Sequence, residues 1–371
     1  MRNQPGQMRL LLIVLPLLLF SGTSCATAVS GATKYERGLL AEKERHYRKA
    51  MALWRAAVGQ RGGSAELRIG NLYAKGKGVS QDYRKAMEWY RRAVMAGNAD
   101  AAAKIGLLYE ISGGLGKEPG AAVKWYLKSA TMGDPRAICR IGAMYKRKLL
   151  DPSECRRILA CLRQAVTARK ANAMFDMATL YNNGWIVPAS TTKGAAWLER
   201  AARAGCAMAM AELGLNYEFG FGMAKNIQKA RLWYLKAATA GNTTAMLEVG
   251  VLYANGMGTR RDLARALFWF RKAARAGSTE AMNAIGGMYA HGEGVKPNPA
   301  MAVRWYRRSA ANGGTGGMMS MGYAYEWGTV LPHNLAKAQA WFKKAAAAGN
   351  SEGTEALEEL KKLEPMPAAR K

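Results

Sequence analysis

Tyrosine recurs at a constant interval of 36 residues, at Tyr73, Tyr109, Tyr145, Tyr181, Tyr217, Tyr253, Tyr289 and Tyr325. A unit this short cannot bury its own apolar face, so neighbours must stack into a continuous core, and the expected product is a solenoid with a long exposed surface. Other columns keep the same period. Three residues before each tyrosine stands glycine, from Gly70 to Gly322, with Ala178 the one exception. Sixteen residues after it stands an aromatic pair such as Trp89-Tyr90 or Trp233-Tyr234, weakened at Trp197-Leu198 and lost at Cys161-Leu162.

Within a unit the apolar spacings are three and four, as in Ile69 and Tyr73 or Ala86, Trp89, Tyr90 and Ala93, which places these residues on one helical face. Each unit therefore reads as two helices. In four units Gly-x-Gly joins them, as at Gly76 and Gly78, and Asp82, Asn226, Asp262, Asn298 and Asn334 stand where a side chain would N-cap the second helix. Gly97 and its counterparts through Gly349 close that helix, where a left-handed backbone is commonly needed. Glycine inside a helix costs about 1 kcal/mol against alanine, so the Gly70 column implies close approach of two helices. The large aromatics are expected to fill the space between them, and Trp233→Ala to leave a cavity costing roughly 3–5 kcal/mol.

Ile69-Gly70-Asn71-Leu72-Tyr73, Gly76-Lys77-Gly78-Val79 and Lys85-Ala86-Met87-Glu88-Trp89-Tyr90, echoed best in units five to eight, resemble the Sel-one-like repeat (SLR) over residues 64–351. The resemblance implies an all-α fold, a right-handed superhelical α-solenoid of two-helix, tetratricopeptide-like repeats. It also implies the role of many bacterial members, a non-enzymatic protein-protein interaction scaffold of the cell envelope. Residues 29–63 look like a tetratricopeptide-like N-terminal hairpin, with Tyr47 to Trp54 in phase with the second-helix pattern. Residues 352–371 read as a capping helix and tail, because Leu357 and Leu360 fall in apolar columns while Lys361 stands where tyrosine should be.

Residues 1–28 read as a secretory signal: Arg2 and Arg9 precede the apolar run Leu10 to Phe20, and small residues follow to Ala28. The run is too short to span a bilayer. Two processing routes are open, cleavage after Ala28 or lipidation at Cys25 within Gly22-Thr23-Ser24-Cys25, so the expected location is periplasmic, secreted or outer-membrane-anchored. The net charge of +29 favours anionic partners. For an exported chain these are acidic protein surfaces or an anionic cell-wall or exopolysaccharide polymer, with nucleic acid less accessible. Cations recur at one second-helix position, Arg92, Lys128, Arg200, Lys236, Lys272, Arg308 and Lys344. A solvated face that suits the helix dipole is the favoured reading over a basic binding strip, as the charges alone show no aromatics among them to stack bases.

A column that must pack repeats itself, whereas one that meets a partner varies. Two residues past each tyrosine come Lys75, Ile111, Arg147, Asn183, Phe219, Asn255, His291 and Trp327. By resemblance to tetratricopeptide repeats this column, with the one holding Asn71, Thr179 and Tyr323, lines a concave groove of first helices, in which Phe219, Tyr323 and Trp327 would be anchors; plain exposure of helix ends explains the variation equally well. Unit three, 136–171, departs most, and in an oxidising compartment Cys139 would pair first with Cys161 and second with Cys155, against the alternative of reduced thiols. No catalytic, metal or cofactor site is expected. His46, His291 and His333 lie in different units. Ser190-Thr191-Thr192-Lys193 matches a Ser-x-x-Lys pattern that would suit β-lactam processing, yet Ser190 stands where other units carry the helix cap.

Overall fold

A computed structural model describes residues 33–363 apart from 60–61, 112–115, 117 and 135. The leader, with Cys25, lies outside these, as do residues 364–371. The described residues form nineteen α-helices in two compact units, one ending at Leu108 and the other starting at Tyr109. The first holds α1 (Lys34–Lys43), α2 (Tyr47–Arg55), α3 (Ser64–Lys75), α4 (Tyr83–Met95) and most of α5 (Ala99–Glu110). The second holds α6 (Pro119–Thr131), α7 (Arg136–Lys146), α8 (Pro152–Thr167), α9 (Ala171–Asn183), α10 (Thr191–Arg203), α11 (Ala207–Phe219), α12 (Ile227–Thr239) and α13 (Thr243–Asn255). It continues with α14 (Leu263–Arg275), α15 (Thr279–His291), α16 (Pro299–Ala311), α17 (Thr315–Glu326), α18 (Leu335–Ala347) and α19 (Ser351–Leu363).

The hairpins are punctuated as their sequence requires. Asp82, Ser190, Asn226, Asp262, Asn298 and Asn334 each accept a backbone N–H three residues on, capping the second helix. First helices end on left-handed Gly76, Gly184, Gly220, Gly256 and Gly292. Within each unit the helices pair, α3 with α4, and α9 with α10 through α17 with α18, and each pair packs on the next.

The periodic glycine admits a ring. A Cβ on Gly70, Gly214 or Gly250 would fall 2.5, 2.7 or 2.5 Å from the ring of Tyr90, Tyr234 or Phe270. The ring in question belongs to the second member of each aromatic pair: Tyr126 and Phe342 are 0% exposed and Tyr90 and Tyr234 2%. The first member, tryptophan, is half-buried in six of its seven occurrences. Of the large aromatics expected in the hairpin, the second of each pair fills it, and the expected cost of Trp233→Ala is corrected accordingly.

Unit three solves the same problem differently. Its second helix starts early, capped by Asp151, whose carboxylate accepts from Glu154 N–H and whose own N–H donates to the Glu154 carboxylate, and runs 16 residues where its neighbours run 13. The ring over Gly142 is Trp185, from the loop of the following unit and only 9% exposed. Three non-glycine residues of units three and four adopt the left-handed backbone at glycine columns, Lys148, Arg169 and Ile186. Arg169 is exposed with φ 55°, where the matching Gly205 and Gly241 have 96° and 90°. The left-handed backbone costs an L-residue about 1–2 kcal/mol, and glycine loses about 0.5–1 kcal/mol more chain entropy on folding. Arg169→Gly is therefore expected to stabilise by about 0.5–1 kcal/mol, seen as a raised thermal midpoint; a lowered one would show that the side chain makes compensating contacts.

The ends are built differently from the middle. In the first unit, Trp54 is fully buried over Gly38 and donates to the Tyr35 carbonyl at 3.3 Å. At the other end α19 packs on α18, burying Ala356 and Leu360 and exposing Glu355, Glu358 and Glu359, as a terminal repeat facing water requires.

Candidate partner-binding surface

The variable column two residues past the tyrosines falls at the ends of first helices and most of its members are exposed, whereas Asn71, Thr179 and Tyr323 lie inside α3, α9 and α17 and are half-buried. In the first unit, Lys75 closes α3 in solvent, while Asn71 is half-buried and accepts from the Tyr90 hydroxyl at 2.9 Å, which gives it a packing role. In the second unit, Arg147 pairs with Glu110 at 2.7 Å and Asn183 donates to the Thr179 carbonyl at 2.9 Å. Asn255 and His291 are exposed. Phe219 is 56% exposed and stacks on exposed Phe221, with centroids 5.8 Å apart. Trp327, 64% exposed, stacks on Tyr323 at 4.6 Å. Tyr323 itself is tied inward, edge-on to Phe342 and donating to Glu352 at 3.0 Å. Phe219 and Trp327, with Phe221 beside the first, are thus the members of this surface that present large aromatic area to a partner.

The second-helix cation ladder does stand among aromatics, a correction to the reading of charge alone. Each member lies over the tryptophan one turn earlier: Arg92 over Trp89, Lys128 over Trp125, Arg200 over Trp197, Lys236 over Trp233, Lys272 over Trp269, Arg308 over Trp305 and Lys344 over Trp341, at 4.2–5.4 Å from the centroid. A second series covers the periodic tyrosines: Lys85, Lys193, Lys229, Arg265 and Lys337 lie 5.3–5.9 Å from the rings of Tyr73, Tyr181, Tyr217, Tyr253 and Tyr325. Each contact adds about 0.5–1 kcal/mol at an exposed site, and the alkyl stems cover ring surface that half-burial leaves open.

A third column escaped the sequence reading. Five residues before the tyrosines, Asp176, Glu212 and Glu248 follow one another on α9, α11 and α13. Their common sign in a basic chain was a visible signal; their burial was not. Asp176 is 2% exposed, and burial, then the neighbouring Asp134, push its carboxyl up to about 8 from 3.8. Burial also raises the Glu212 and Glu248 carboxyls.

The sign of the stability effect follows. A carboxyl whose folded value is raised favours the folded state only while protonated; its penalty begins above the unfolded value of 3.8 and grows until the folded group ionises near 8. Asp176→Asn is expected to stabilise by about 1 kcal/mol at pH 8, the gain being limited because a buried amide also lacks a partner, and to change nothing at pH 3.5. Unfolding curves at the two pH values test this, and an equal effect at both would show that charge is not the cause.

The four described cysteines are free thiols, so neither Cys139–Cys161 nor Cys139–Cys155 is bonded in this structure. Cys139 is exposed as a residue, yet partial burial of its sulfur, then Asp176 and Glu212, push its thiol up. Ser190 caps α10, its hydroxyl accepting from Lys193 N–H at 3.2 Å, while the Lys193 ammonium lies over Tyr181; both members of the Ser-x-x-Lys pattern are engaged. Among the described residues no group of three His, Cys, Asp or Glu side chains is placed to hold a metal, and no helix is long and apolar enough to cross a membrane.

Paired helices stacked at a 36-residue repeat define an α-solenoid of tetratricopeptide-like units, a class built for protein–protein contact. The model of the Sel1 repeat matches residues 63–98, 99–134, 171–206, 207–242, 243–278, 279–314 and 316–350, more than half the chain, and the chain belongs to that family. The gap coincides with unit three. Among solved structures, a protective antigen of uropathogenic Escherichia coli with an SLR fold is 27% identical, with TM-score 0.51; the match covers 83% of this chain and 66% of that one. A Sel1 repeat protein from Oxalobacter formigenes is 28% identical, with TM-score 0.44, covering 75% and 99%. An immunity protein of Pseudomonas aeruginosa is 21% identical, with TM-score 0.38, covering 63% and 88%. No curated protein matches the chain.

Proposed function

We propose that this protein is a non-enzymatic scaffold of the bacterial envelope that holds partner proteins along its first-helix face. The observation that carries this reading is the placement of Phe219 and Trp327, large aromatics more than half exposed on a column that varies from unit to unit, with exposed Phe221 stacked on Phe219. Exposed aromatics of this kind are the usual anchors of interfaces. The signal-like leader supports export, by cleavage or through a lipidated Cys25, and the similar Escherichia coli protein is described as a protective antigen. The net charge of +29 selects partners of acidic surface overall.

The rival reading, an anionic cell-wall or exopolysaccharide polymer bound along the second-helix ladder, is weaker because each ladder cation already lies on a tryptophan. The mature chain should retain a stoichiometric protein from envelope extract through a moderate-salt wash, and lose it when Phe219 and Trp327 become alanine. Recovery of anionic polymer alone, released by salt, would overturn the scaffold reading.

A further inference from the structure

Asp176, Glu212 and Glu248 stand at the same register on consecutive first helices of the second unit, in a chain with 26 acidic against 55 basic residues. None of the three makes a hydrogen bond or ion pair with another described residue. Asp176, 98% buried, lines a pocket of about 180 Å³ between the end of α6, α9 and the start of α11, together with Asp134, Asn172, Phe175 and Met208. A second pocket of about 260 Å³, lined by Glu212, Glu248 and Tyr234, shares Met208 as a wall.

A buried carboxylate without a partner is costly, and nothing in the packing of α9 requires one at this position. The pocket is lined by polar Asp176 and exposed Asn172 and by apolar Phe175 and Met208. Asp134 is already committed, accepting from Ser129 Oγ at 3.2 Å and pairing with Arg136 at 3.1 Å. That leaves one free carboxylate, too few for a metal ion. An ammonium ion is strongly hydrated and would lose much on entering such walls, whereas a guanidinium is planar, weakly hydrated, stacks on aromatic faces and meets a carboxylate through two donors. The adjoining Glu212–Glu248 pocket extends the same chemistry by one repeat.

We propose that the Asp176 pocket receives an arginine side chain of a partner polypeptide, and that Glu212 and Glu248 receive further basic groups of the same segment. This rests on the scaffold reading and assigns a chemistry to part of its surface: a basic segment held on the first helices of an otherwise basic protein. Entry of the guanidinium ionises Asp176, so binding at neutral pH releases a proton to the buffer.

The test is calorimetry on the mature chain at pH 7, with end-blocked peptides bearing one arginine or one lysine, in two buffers of different ionisation heat. The arginine peptide should bind with net proton release, and the lysine peptide at least tenfold more weakly. Asp176→Asn should weaken arginine binding at least tenfold and remove the proton release. Met208→Trp, which fills the pocket from its wall and leaves the carboxylate in place, should weaken binding to the same degree. Absence of binding, equal binding of the two peptides, or full binding by either variant would overturn the assignment, as would competition by calcium or magnesium at equal concentration. If the peptide fails while the envelope partner is still lost on changing Phe219 and Trp327, the scaffold stands and the pocket assignment alone falls.

Discussion

Tyr234→Ala is expected to destabilise the chain by about 3–5 kcal/mol, and Trp233→Ala beside it by only about 1–2 kcal/mol. Tyr234 is 2% exposed, its ring lies over Gly214, and its hydroxyl donates to Glu218 at 2.8 Å. Truncation would leave a ring-sized void that two helix backbones cannot close, and would remove the partner of a half-buried carboxylate. Trp233 is half-buried and carries the Lys236 ammonium 4.3 Å above its ring; its loss forfeits that contact and partial burial, with water free to enter. Urea unfolding followed by circular dichroism measures both. Because each unit is held by its neighbours, the slope of the transition is read together with its midpoint. Equal costs would mean that the tryptophan, and not the residue after it, holds the hairpin together.

The same two positions show where the sequence stopped being legible. Period, hairpin, caps and the close-approach glycine follow from residue type at fixed spacing, and these features the structure retains. Choosing between Trp233 and Tyr234 was harder, because adjacent helical residues point about 100° apart and both are large aromatics. The choice depends on where the neighbouring helix lies. Trp185 was further out of reach: it sits off the period, in the loop of the next unit, and fills the space above Gly142 left by Cys161-Leu162. The cation ladder was visible, yet its aromatic partners were not, since a tryptophan three residues earlier reads as core until its face is seen to be open. On the candidate surface, exposure of Phe219 and Trp327 agreed with their variable column, whereas Asn71 and Tyr323 proved to serve packing. The acid column was legible by sign alone; only helix packing reveals that Asp176 is enclosed and unpartnered.

Two neighbouring glycines separate propensity from packing within one helix. Both Gly286 and Gly287 lie inside α15, where alanine is favoured by about 1 kcal/mol. A Cβ on Gly287 meets nothing within 4 Å, so Gly287→Ala should realise most of that gain. A Cβ on Gly286 would overlap the ring of Tyr306, which is itself buried, only 7% exposed. Overpacking of this kind costs about 1–3 kcal/mol, enough to cancel the propensity term and reverse it. The two variants are therefore expected to differ by about 1–3 kcal/mol, Gly287→Ala above the parent chain and Gly286→Ala at or below it, in parallel thermal or urea unfolding experiments. If Gly286→Ala stabilised the chain as Gly287→Ala does, the ring would have to be free to move, and the glycine column would owe its period to something other than close helix approach. If Gly286→Ala alone destabilised, and Tyr306→Leu in the same chain restored part of the loss, the ring would be identified as the contact that keeps glycine at this position in the repeat.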